Sequence, residues 1–208
     1  ASRRLASSSS SSSSDHLQSP MDLIPAHLAS QGEPLTDQDR TELEELLRNL
    51  SASRGSINAA MTWVIDHEIN APEIVQTLSE ALTLPDTKLA TKLGRLFLVS
   101  DILSNARKLS FTAPADFSKL FLFSACFYST LPQIMISFGN KLKSIPGRIT
   151  AQALKDHIHK ILLHWRKNSI YMPSFIDSLI HNFSYAEEMR PEAQAHAATP
   201  AASIHTTL

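Results

Sequence analysis

Apolar residues recur at helical spacing along most of the chain, and no strand-like alternation persists for long. Leu43, Leu46, Leu47 and Leu50 mark one face of a first helix, opened by Thr36 and Asp39 in capping-box-like spacing. A second helix starts near Ser56 and carries Ile57, Ala60, Met61, Val64 and Ile65. A third begins at Ala71-Pro72, where proline's missing N–H costs little, and turns Ile74, Val75, Leu78, Ala81 and Leu82 inward. The fourth, at about 86–108, is apolar on more than one face around Leu96, Val99, Ile102 and Leu103, which predicts a central core helix. A fifth is expected at about 114–131 and a sixth at about 133–142, divided by Pro132. A seventh, at about 150–167, points Leu154, Ile158, Ile161, Leu162 and Trp165 inward, and an eighth from Pro173 carries Phe175, Ile176, Leu179, Ile180 and Phe183. The pattern therefore predicts an all-α fold of about eight short helices, stacked as hairpins in a solenoid-like manner.

Composition changes the picture at the two ends. Residues 7–14 are all serine, so 1–33 read as a disordered Ser-rich N-terminal tail. Residues 34–185 read as the helical domain, and 186–208, rich in Ala, Thr, Pro and His, as a disordered C-terminal tail. Arg3 and Arg4 lead into serines rather than an apolar segment, so no secretory pattern is present. Residues 120–140 carry no charge, but Ser124, Ser129, Thr130, Gln133 and Ser137 interrupt the run and Pro132 divides it. Two packed core helices are expected there rather than a membrane span.

The net charge of −1 gives no global field toward nucleic acid or lipid. A single cysteine, Cys126, excludes an intrachain disulfide and a Cys-based zinc site. Nucleophile-elbow, phosphate-loop, zinc-protease and Cys-His signatures are all missing, so a non-enzymatic module without cofactors is expected. His157, His159 and His164 share the seventh helix at spacings that suit no metal, and read as surface or core-edge residues.

Polar residues inside the central helix carry more information. Ser100, Asp101 and Asn105 interrupt an apolar segment, with Asp101 and Asn105 on one face. A carboxylate there either accepts hydrogen bonds from nearby helix-end amides or forms a polar strip on a groove floor. Arg148, Lys155, Lys160, Arg166 and Lys167 form either a solvated face or a phosphate-binding patch.

Three segments resemble one family. RLFLVSDILSNA (95–106), SINAAMTWVIDHEINAPEIV (56–75) and WRKNSIYMPSFI (165–176) are similar, in order, to the helices of the CTD-interacting domain, or CID. The resemblance covers about 35–183, and its Arg-Leu-aromatic-Leu-Val-Ser-Asp version is most similar to the CID of U2-snRNP-associated SURP-motif splicing factors. It implies a right-handed superhelix of about eight helices, shared with VHS and ENTH domains. It implies a groove between the second, fourth and seventh helices that takes the phosphorylated heptad-repeat tail of RNA polymerase II. Carried over by position, Ser56, Ile57 and Asn58 would border the peptide, and Ser100, Asp101 and Asn105 would meet it. Lys160, five residues before Trp165, stands where phosphoserine-reading members have arginine, with Arg166 and Lys167 as further phosphate-binding candidates. Asn168 occupies a second family arginine position. The implied setting is nuclear pre-mRNA splicing, with splicing-factor proteins as partners, RNA through flanking regions, and no membrane. Two alternatives stand beside it. One is a structural U2 snRNP subunit without tail binding. The other is a VHS/ENTH-type trafficking adaptor, disfavoured because residues 36–50 hold five acids against Arg40 and Arg48.

Overall fold

Thr36 opens the first helix as the sequence predicts, its hydroxyl accepting the Asp39 N–H at 3.1 Å. The computed structural model describes residues 32–112 and 117–188. Among these are seven α-helices: α1 (Asp37–Asn49), α2 (Arg54–Asp66), α3 (Ala71–Thr83), α4 (Leu89–Thr112), α5 (Phe117–Lys143), α6 (Arg148–Lys167) and α7 (Pro173–Glu188). One 3-10 turn, Glu68–Asn70, joins α2 to α3, and the described residues contain no strand. The tail readings for residues 1–31 and 189–208 lie outside the described residues. Glu33 is held by the domain: its N–H donates to the Ile69 carbonyl at 3.1 Å, and its own carbonyl accepts from Asn70 Nδ2 at 2.9 Å.

The core is organised around α4 and α5. Leu96, Leu98, Val99, Ile102 and Leu103 of α4 are all buried, and α4 packs against α2, α3, α5 and α6. Trp165, Phe123, Phe127, Phe138 and Phe183 supply the largest apolar side chains of the same core. Arg95 is buried inside it, donating to the Leu47 carbonyl at 3.2 Å and the Ala81 carbonyl at 2.7 Å. Those carbonyls lie in the last turns of α1 and α3, where backbone acceptors lack helical partners. One guanidinium therefore ties two helix ends to the central helix.

The expected division at Pro132 does not occur. The fifth and sixth helices anticipated from the sequence are one helix, α5, with Pro132 in its interior. Proline there removes one backbone donor and crowds the preceding turn. Tertiary packing outweighs that cost: Phe127, Leu131, Ile134, Met135 and Phe138 are fully buried on both sides of it, and α5 packs along α3, α4 and α7. The Ser129 hydroxyl also donates to the Cys126 carbonyl at 2.8 Å, just before the proline. Among the described residues no helix is long and apolar enough to cross a membrane.

Candidate functional site

A polar groove of about 440 Å³ opens between α2, α4 and the C-terminal end of α6. Arg54, Asn58 and Met61 line it from α2; Asp101, Ser104, Asn105, Arg107 and Lys108 from α4; His164 from α6, with its cap Asn168 and Ile170 just beyond. Its walls are fixed by hydrogen bonds between α4 and α6. Buried Trp165 donates from Nε1 to the Ser100 hydroxyl at 3.1 Å. Ser104 donates to the Ser100 carbonyl at 2.7 Å, and its Oγ lies 3.2 Å from His164 Nε2.

Asp101 is exposed to the groove, and the nearby protein still lifts its carboxyl above the ordinary carboxylate range. Partial burial is the main cause, opposed by the positive charges of Lys108, Arg54 and His164. Asn105 donates from Nδ2 to the Asp101 carbonyl at 2.9 Å. That bond orients the amide and leaves it one further donor and an acceptor oxygen. The groove thus offers a carboxylate, amides and cations together, able to accept from N–H and O–H donors and to pair with negative charge.

The C-terminal wall depends on how α6 ends. Ser169 adopts φ 50°, its N–H donates to the Arg166 carbonyl at 3.1 Å, and Ile170 N–H donates to the Trp165 carbonyl at 3.0 Å. This is a Schellman arrangement, with the buried Ile170 and Trp165 making its apolar pair. It presents Asn168 to the groove as the cap, with Nδ2 donating to the His164 carbonyl at 2.8 Å.

The residues named from sequence distribute unevenly over this geometry. Asn58, Asp101 and Asn105 line one groove. Ile57 is a core residue, and Ser56 is half-buried beside it, its hydroxyl accepting the Ser51 N–H at 3.1 Å. Ser100 is buried and engaged by Trp165, so it supports the groove from behind. Lys160 and Lys167 are exposed and do not line the groove; Lys160 sits one turn before His164. Arg166 forms an ion pair with Asp177 of α7. The cations lining the groove are instead Arg54, Arg107 and Lys108, none singled out from the sequence, with His164 beside them. Arg54 lies two residues before the 56–75 segment that resembles the family, which was the available signal. His157 and His159 bond within their own helix, to the carbonyls of Ala153 and Lys155.

The sequence profile of the CID domain matches residues 41–179. The chain belongs to the CID domain family. The matched stretch contains every residue of the groove and runs through α7 as far as Leu179. A CID is a protein-interaction module, which agrees with a groove of fixed walls and polar lining. Among curated relatives, the chain is 41% identical over 149 residues to Protein RRC1 of Arabidopsis thaliana, covering 72% of this chain and 15% of that protein. Protein RRC1-like of the same plant is 39% identical over 149 residues, with the same coverage of each chain. The chain therefore spans about 15% of the length of these relatives.

Proposed function

We propose that this CID binds the phosphorylated heptad repeats of the RNA polymerase II tail in the α2/α4/α6 groove and acts in nuclear pre-mRNA processing. The observation that carries the reading is the convergence of Asn58, Asp101 and Asn105 with the cations Arg54 and Lys108 in one open groove of a CID fold. Asp101 is accessible rather than sealed in the core, so its carboxylate is free to accept a ligand N–H or hydroxyl. Phosphate recognition is assigned to Arg54 and Lys108, with His164 as a third group when protonated. Lys160 plays an outer, steering part. The similarity of the 95–106 helix to SURP-motif U2 factors further suggests a splicing setting, with splicing-factor proteins as neighbours and RNA contacts made by regions outside this domain.

A second reading, a structural spliceosomal subunit whose groove is unused, draws on Arg166 being engaged by Asp177 and on Asn168 standing at a family arginine position. Fluorescence anisotropy with a serine-phosphorylated heptad-repeat peptide separates the two. Tail binding predicts saturable affinity that falls about ten-fold in Asp101→Ala and in Arg54→Glu. Lys160→Glu is expected to change it by less than about three-fold at moderate salt. Equal signals from the parent and from all three variants would favour the structural subunit.

A further inference from the structure

The face opposite in character to the peptide groove carries a second cleft. Between α3 and α5 lies a slot of about 480 Å³ whose floor is apolar: Val75, Cys126 and Ile134 are buried along it, and Pro72 closes one end. Burial pushes the Cys126 thiol up to about 11, so it serves as an apolar wall rather than a nucleophile. Across the exposed ridge of α3 lies an adjoining groove of about 520 Å³ lined by Glu44, Glu73 and Glu80. Its one cation, Arg40, is committed to Glu73 at 2.7 Å and Asp37 at 2.9 Å. Pro72, Gln76 and Glu80 line both clefts. No residue of either lines the α2/α4/α6 groove.

The near-neutral total charge conceals a division that this surface inherits. Residues 32–83 carry ten acidic and three basic side chains, a net charge of −7. Residues 84–188 carry seven acidic and thirteen basic ones, a net charge of +6. Arg40 pairs with Glu73 and Arg48 lies 3.9 Å from Glu44, yet the groove lining still holds three carboxylates against one cation, so the slot is flanked by a net negative surface that attracts cations and repels anions. Such a slot suits an apolar anchor side chain set among lysines or arginines.

We propose that the α3 ridge, with the α3/α5 slot on one side and the acidic α1/α3 groove on the other, is a second docking surface for a basic peptide segment of a partner protein that anchors one aliphatic side chain in the slot. From Pro72 to Thr83 the ridge spans about 16 Å, room for roughly five residues of extended peptide. Because it shares no lining with the first groove, both sites are open to occupation at once. The module would then join an anionic tail on one face to a cationic segment on the other.

The test is nuclear magnetic resonance titration of the whole isotope-labelled chain with three synthetic peptides. One is lysine-rich with a central leucine, one has serine in place of that leucine, and one has glutamates in place of the lysines. The proposal predicts saturable shifts of the Gln76, Ser79, Ser129 and Gln133 amides with the leucine–lysine peptide alone. Glu80→Lys should weaken this binding about five-fold or more. Gln133→Trp, an exposed change that fills the slot mouth, should weaken it too, and Asp101→Ala should leave it intact. The proposal is overturned by an absence of shifts at millimolar peptide, by an equal response to the serine peptide, or by shifts confined to the α2/α4/α6 groove.

Discussion

Asp101 is held at the open groove at some expense to stability. Its folded carboxyl titrates above its unfolded value, so across that interval the native chain holds more protons than the unfolded one. Stability therefore falls as pH climbs through the interval and stays lower above it. Asp101→Asn removes that loss: thermal melts should place the variant at or above the parent at neutral pH, the two converging below the carboxyl range. A lower midpoint for the variant at neutral pH would contradict this. Ser169 holds a φ of 50°, which favours glycine. Ser169→Gly should stabilise the chain by about 0.5–1 kcal/mol in denaturant melts without altering peptide affinity. This cap was invisible in the sequence because the usual glycine is absent. Asp101 and Asn105 were legible because polar side chains interrupting an apolar helix need a reason. Their alternative, burial against helix-end amides, was settled only by the exposure of Asp101.

At the scale of elements, hydrophobic periodicity located α1, α2, α3, α6 and α7 to within a few residues, because each has one buried stripe and a local start signal. The error fell at Pro132, where a local rule met a helix buried along most of its length. If packing alone holds α5 together there, Pro132→Ala restores a backbone donor and should raise the melting midpoint, by about 1–3 kcal/mol of stability in denaturant melts. A large loss would show that the proline bend is required by its neighbours. Arg95 enters the sequence reading only as the first residue of the 95–106 segment; its role as a tie emerges only when the ends of α1 and α3 meet α4. Arg95→Met leaves the Leu47 and Ala81 carbonyls without this donor, and should cost about 2–4 kcal/mol in the same assay. Groove cations escaped for a related reason: Arg54 comes from α2 and Arg107 and Lys108 from α4, far apart in sequence, and only the packing of α2 on α4 assembles them.

At the scale of the molecule, the near-zero net charge misled in one respect: the two halves carry opposite charges of similar size. Fold membership was legible because three segments lay in family order, and the profile match over residues 41–179 agrees with their span. The groove's cations were harder to anticipate, since positions carried over on α6 pointed to Lys160, which is not among the residues that line the groove. The central claim is that the groove between α2, α4 and α6 is a peptide site for the polymerase tail. Chemical-shift mapping with a serine-phosphorylated heptad-repeat peptide tests it most directly. Tail binding in this groove should give saturable shifts centred on Arg54, Asn58, Asp101, Asn105 and Lys108, reduced in Asp101→Ala and weakened as salt is raised. Unchanged spectra at millimolar peptide, or shifts lying elsewhere on the molecule, would contradict it.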